Sequence, residues 1–128
     1  MPEKKKIAPP RGPQAVGPYS PAIRTDGLIF VSGQVAINPD SQEIERGTIQ
    51  QQVDRIMHNL SLILEAAGSS LERVVKASVF LADMNDFEAM NETYGKYFKD
   101  PAPARTTIEV SRLPKDVDVE IDVIALAG

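Results

Sequence analysis

The sequence predicts an α+β domain, a sheet with two helices packed against one face. Three observations carry that expectation. Between Thr48 and Gly68, apolar residues recur at helical spacing, and a shorter stripe does the same from Asp86 to Phe98. Around these helices lie runs that alternate, or are continuously apolar, as strands are. The runs follow one another as β-β-β-α-β-α-β-β, with the first strand weak.

The elements are justified in order. Lys5 to Ala8 suits a short edge strand, since Pro9, Pro10 and Pro13 forbid much regular pairing. Gly17-Pro18-Tyr19-Ser20-Pro21 is a tight loop in which two prolines fix the backbone around Tyr19. Ala22 to Thr25 reads as a strand, Asp26-Gly27 as a hairpin turn and Leu28 to Val35 as the returning strand. That strand is apolar until Ser32-Gly33-Gln34, as a strand covered on both faces is. Gly33 within it marks a bulge or a close approach to the backbone. Ile37 to Gly47 is a loop. In the first helix Thr48 and Gln51 form a capping-box pattern, and Gly68 follows its end. Ile49, Val53, Ile56, Met57, Leu60, Ile63, Leu64 and Ala67 make one face; Leu62 is off it and His58 is on the polar side. Leu71 to Asp83 alternates and reads as a strand. The second helix starts near Asn85 and buries Phe87, Met90, Tyr94, Tyr97 and Phe98. Asn91 lies on that stripe and needs a polar partner, so it is expected to tie down a neighbouring loop.

The last two runs, Pro103 to Val110 and Val117 to Leu126, flank the turn signal Leu113-Pro114-Lys115-Asp116 and read as a hairpin. With an even-length loop, one face carries Thr106, Ile108 and Val110 with Val117, Val119, Ile121 and Val123. The other carries Arg105, Thr107 and Glu109 with Asp118, Glu120, Asp122, Ile124 and Leu126. The first face belongs in the core. The second brings one cation and several carboxylates together, with a half-apolar remainder that a second subunit would bury.

The chain has 128 residues, enough for one domain over its whole length. It contains no cysteine and one histidine, which removes disulfides, thiol nucleophiles and Cys/His metal sites. The acid row of Asp118, Glu120 and Asp122 lacks the shaped loop of a hard-cation site, so no metal is expected. A net charge of −4 argues against nucleic acid as a partner. No apolar run approaches the length of a membrane span. The start, with Lys4-Lys5-Lys6, lacks the apolar core of a secretory signal, so a cytoplasmic protein with no membrane partner is expected.

Five segments in register resemble the RidA/YjgF family of reactive-intermediate deaminases. They are Gly17-Pro18-Tyr19-Ser20-Pro21, Val31-Ser32-Gly33-Gln34, Asp86-Phe87 with Met90-Asn91 and Tyr94, Pro103-Ala104-Arg105-Thr106, and Leu113-Pro114-Lys115 with Val119-Glu120-Ile121. The resemblance implies a chorismate-mutase-like α+β fold: a mixed sheet with two helices on one face, assembled as a homotrimer with ligand clefts between subunits. It implies hydrolysis of 2-enamino and 2-imino acids, such as 2-aminoacrylate and 2-aminocrotonate, to 2-keto acids and ammonia, with no cofactor. It further implies catalytic roles for Arg105, Glu120 and Tyr19, and substrate binding by Arg105, Ser32, Gly33, Asn91 and Thr107. Many members carry cysteine where this chain has Thr107, so a thiol cannot be essential to the activity here.

The residues give their own reading beside this. A guanidinium pairs a carboxylate through two parallel hydrogen bonds, yet from spacing alone Arg105 reads as a cross-strand partner of Asp122 or Glu109. Glu120 is suited to holding a water or passing a proton; its bland reading is a solvated acid, which is the one taken for Asp118 and Asp122. Tyr19 is a substrate cap or a loop anchor. Ser32 reads as a structural hydrogen-bonder, Gly33 as room for a ligand, and Thr107 as the source of a backbone carbonyl that accepts from the leaving nitrogen or water, or as an ordinary strand residue. Two other classes remain: a 2-keto-acid-binding protein without turnover, and a ribonuclease or translation inhibitor, against which the acidic balance counts.

Overall fold

The computed structural model describes residues 3–128. Its strands are β1 (Lys5–Ile7), β2 (Ala22–Thr25), β3 (Leu28–Gln34), β4 (Val74–Leu81), β5 (Ala104–Glu109) and β6 (Val119–Leu126). Its helices are α1 (Ile49–Ala66) and α2 (Phe87–Tyr94). The expected element order holds, weak first strand included. The strands form one sheet in the order β1-β2-β3-β6-β4-β5. All neighbours are antiparallel except β4 and β5, which are parallel.

Helix α1 forms where its signals are. The Thr48 hydroxyl accepts from the Gln51 amide at 3.2 Å, while the Gln51 side chain accepts from the Thr48 amide at 2.9 Å. This closes the capping box and satisfies two of the free N–H groups at the helix start. Val53, Ile56, Met57, Leu60, Ile63 and Leu64 are fully buried against the sheet. Leu62 is half-buried and His58 exposed, as their phase requires. At the far end Gly68 takes φ +80°, the left-handed conformation that favours glycine.

Several boundaries differ from the sequence pattern. Strand β4 begins at Val74, because Leu71–Arg73 is a 3-10 turn. Helix α2 spans only Phe87–Tyr94, between 3-10 turns at Met84–Asp86 and Gly95–Tyr97. Asn85 does not cap it; Asp83 accepts from the Asn85 amide at 2.9 Å and caps the preceding turn. Asn91 is exposed rather than on the buried stripe. The 37–47 loop folds back on itself through an Ile37–Ile44 bridge.

The main correction concerns the last two strands, which do not form a hairpin. Strand β4 lies between β5 and β6. The chain leaves β4, crosses over through α2 and returns as a parallel β5, a connection that needs a helix's length of chain. After β5, the turn at Leu113–Asp116 carries the chain past β4 to its other edge. The parity therefore reverses. Arg105 and Val123 both pair with Ala77, while Thr107 and Ile121 both pair with Val79. Directly paired residues share a face. Arg105 and Thr107 thus stand on the helix-covered side, with Val119, Ile121 and Val123. Thr106 and Ile108 share the open side with Asp122 and Glu120. On that open side Phe30, Ile108 and Leu126 keep 42%, 44% and 42% of their surface exposed.

The packing of α1 makes a direct test. Leu60→Ala should cost about 2–5 kcal/mol of stability, whereas Leu62→Ala should cost less than about 1 kcal/mol. Urea unfolding at fixed protein concentration measures both, and equal losses would contradict the described face.

Candidate active site

The sequence-selected residues fall into two groups on opposite sides of the sheet. The first surrounds a cavity of about 130 Å³ lined by Tyr19, Pro21, Gly33, Gln34 and Glu120, with walls from 13–16 and from Pro114 and Lys115. Its floor is the β3–β6 seam. Pairing there is regular from Leu28 to Val31, then shifts before Gln34 meets Ile121. The shift is the bulge that Gly33 signals. A Cβ on Gly33 would collide with the Glu120 carboxylate, so the missing side chain makes space for that acid.

The loop over the cavity is tied to the same strand. Ser32 donates its hydroxyl to the Ser20 carbonyl at 2.6 Å, and its amide donates to the Pro21 carbonyl at 3.0 Å. The Tyr19 amide donates to the Gly17 carbonyl at 2.8 Å, which tightens the loop and leaves Tyr19 49% exposed at the cavity. Ser32 is thus engaged in holding the loop. Opposite, Lys115 and Asp116 take φ of +57° and +55°, uncommon for residues with a Cβ. They are held there: Arg46 donates to the Lys115 carbonyl at 2.8 Å, and Arg112 pairs with Asp116 at 2.7 Å.

Glu120 is half-buried and makes no salt bridge among the described residues. Burial pushes its carboxyl above the ordinary carboxylate range, and the charge of Asp122 adds to the rise. Asp122 is also raised by burial, against the pull of its Ser78 hydrogen bond and the nearby Lys76 charge. The other acids of the row are otherwise occupied. Asp118 accepts from Gln52 at 2.7 Å, and Glu109 accepts from the Met84 amide at 2.8 Å.

The second group is Arg105, Asn91 and Thr107, at the β5 edge under α2. Arg105 donates through Nη1 to Asn91 Oδ1 at 2.6 Å. Its guanidinium lies 4.8 Å from the Tyr94 ring centroid and 5.6 Å from that of Phe87. It pairs with neither Asp122 nor Glu109. Asn91 therefore ties down an arginine rather than a loop. The Thr107 and Tyr94 hydroxyls are buried with no partner among the described residues. Burial raises the Tyr94 phenol above its ordinary range, opposed by the Arg105 charge.

Arg105 and Glu120 thus do not share a face, contrary to the sequence expectation. Sequence reasoning also passed over the 13–16 wall and the ring pair around Arg105. The second had a visible signal: Phe87, Asn91 and Tyr94 are spaced by four and three, which sets an amide between two aromatics on one helix face.

Comparison with known proteins matches the endoribonuclease L-PSP family over residues 10–127. The chain belongs to the RidA/endoribonuclease L-PSP family. Among family members, a RutC family protein of Pyrococcus abyssi is 49% identical over 122 residues, covering 95% of this chain and 96% of that one. A 2-iminobutanoate/2-iminopropanoate deaminase of Mus musculus is 42% identical over 125 residues, 98% and 93% of the two chains. The crystal structure of E. coli TdcF with bound serine superposes with a TM-score of 0.89 at 37% identity, covering 98% of this chain and 100% of that one. No helix among the described residues is long and apolar enough to cross a membrane.

The raised Glu120 carboxyl has a consequence for stability. A native value above the unfolded one means that the folded protein holds this proton more tightly. Glu120 then weakens the fold as pH rises through the interval between the two values. Glu120→Gln removes that penalty, so its stability relative to wild type should improve as pH rises upward from the ordinary carboxylate range. Thermal unfolding midpoints across that rise measure it; a pH-independent difference would show that ionisation of Glu120 carries no such cost.

Proposed function

We propose that the protein hydrolyses 2-imino acids, with their 2-enamino tautomers, to 2-keto acids and ammonia. The observation that carries the reading is the pairing of an unneutralised guanidinium with a separate, half-buried acid beside a small cavity. The relative that acts on 2-iminobutanoate and 2-iminopropanoate supports the substrate class, and the serine-bound neighbour supports a small amino-acid-like ligand.

Arg105 takes the substrate carboxylate. Glu120 holds the water that attacks the C=N carbon. As the C–O bond forms, Glu120 takes one proton from the water and delivers it to the imine nitrogen, and the adduct is a carbinolamine. Glu120 then takes the hydroxyl proton and passes it to nitrogen. The C–N bond breaks, the carbonyl forms and ammonia leaves. A carboxyl raised above its ordinary range is the better proton carrier near neutrality. Tyr19 closes the cavity over the substrate, and Gly33 leaves room for the Glu120 carboxylate. Most of the rate gain is positioning, since the imine is already electrophilic.

In this reading two copies build each site, Arg105 of one subunit facing Tyr19 and Glu120 of the next. The open sheet face supports this, because its apolar residues are of the kind that a subunit contact buries. A homotrimer gives three such clefts. An endoribonuclease role is less well supported, because the net charge of −4 disfavours a polyanion.

The reading is tested by generating 2-aminocrotonate in situ with a threonine dehydratase and following keto-acid release. Glu120→Gln should lower kcat at least about 100-fold, the scale of a general acid–base contribution, and Arg105→Ala should lower kcat/KM at least about tenfold through weaker binding of the carboxylate. Mixed oligomers of the two variants should regain activity, because some clefts then combine intact halves. An Arg105→Ala rate equal to wild type sinks the assignment. Undiminished keto-acid affinity in Glu120→Gln, with no turnover by wild type, would make this a binding protein instead.

A further inference from the structure

The hold on Arg105 has a form that decides what the arginine can do. Phe87, Asn91 and Tyr94 occupy one face of α2 above the edge strand β5. The two rings lie against the guanidinium, and Asn91 Oδ1 accepts from Nη1 alone. Among the described residues no acceptor engages Nε or Nη2, and no carboxylate forms a salt bridge with Arg105. A guanidinium has a two-donor edge formed by Nε and Nη2, and that edge is the one left whole. The chemistry of the holder matters as much as its geometry. An aspartate in place of Asn91 would fix the arginine equally well but cancel its charge. A neutral amide and two ring faces orient it and leave the charge available.

We infer that Asn91, with Phe87 and Tyr94, is a positioning group that turns the Nε–Nη2 edge of Arg105 toward the substrate carboxylate, and that Asn91 itself does not touch the substrate. This rests on the reading of Arg105 as the carboxylate binder. It replaces the expected substrate contact of Asn91 with an indirect one. Freed of the amide, the guanidinium samples other rotamers and pays an ordering cost each time it binds. Anchoring through a carboxylate that does not react is binding common to substrate and transition state. Loss of orientation therefore raises KM and leaves kcat nearly unchanged.

The test is a double-mutant cycle on the full chain, read by calorimetric titration with 2-oxobutanoate. Asn91→Ala should weaken binding about tenfold, the scale of a charge-assisted hydrogen bond. In an Arg105→Lys background, which keeps a charge but has no fork, the same change should weaken it by less than about twofold. In turnover, Asn91→Ala should raise KM with kcat within about threefold of wild type. Phe87→Leu keeps the apolar bulk and removes the ring face; it should weaken binding by about twofold to fivefold, and it serves if Asn91→Ala does not fold. Equal losses from Asn91→Ala in both backgrounds would overturn the inference, since Asn91 would then act on the ligand or the fold independently of Arg105. Unchanged affinity in Asn91→Ala, or in Phe87→Leu where that variant must serve, would overturn it too. Either result with Arg105→Ala still defective leaves the functional reading standing. An Arg105→Ala protein that binds as wild type overturns both.

Discussion

Strand β6 lies between β3 and β4, and the register it takes there decides which face carries Glu120. Its alternation sends Val119, Ile121, Val123 and Ala125 into the core under the helices, all essentially without exposure. The same alternation must send Glu120, Asp122 and Ile124 to the opposite side. Sliding β6 by one residue would bury two carboxylates beneath α1, at a steep desolvation cost. Apolar burial therefore fixes the location of the acid, and Gly33 on β3 leaves the gap that receives it. Strand β5, one position beyond β4, obeys the same rule with the other result: Arg105 goes under the helices.

The separation of Arg105 from Glu120 has a chemical value. In contact, the two would neutralise each other, and a ligand would have to break an ion pair before binding. Held on opposite faces, each keeps its own state. The arginine is stacked on rings and partnered by an amide, so its charge remains. The glutamate is half-buried, so its carboxyl is raised. Neither property survives well beside the other. A fold that keeps the two apart within a chain preserves both properties.

Much of this was legible in the sequence. Helix α1 was readable to the residue at its capping box, because Thr48, Gln51 and the 3.6-residue period are local signals. The Asp26-Gly27 hairpin and the Gly33 bulge were readable for the same reason. The pairing of β5 with β6 was not. A turn signal at Leu113–Asp116 says that the chain changes direction, but not which strand it meets afterwards, and the insertion of β4 is a long-range choice. One error of partner reversed the parity and put Arg105 on the wrong face. Arg105 and Glu120 had been chosen on that shared face together with the motifs, and with the face gone the motifs alone keep them as candidates. Asn91 was recognised as a polar group needing a partner, but its partner sits fourteen positions away, on the edge strand that the hairpin had misplaced.

The place of β6 in the chain also bears on how the protein is made. It is the strand that joins the two halves of the sheet, and it emerges from the ribosome after every other element described here. Until then β3 and β4 each present an unpaired edge, with the apolar faces of both helices incompletely covered. Such edges are templates for wrong partners. The nascent chain must pass through this open stage on every round of translation, and the charged turn around Pro114 immediately before β6 is the last segment made before the closing strand itself.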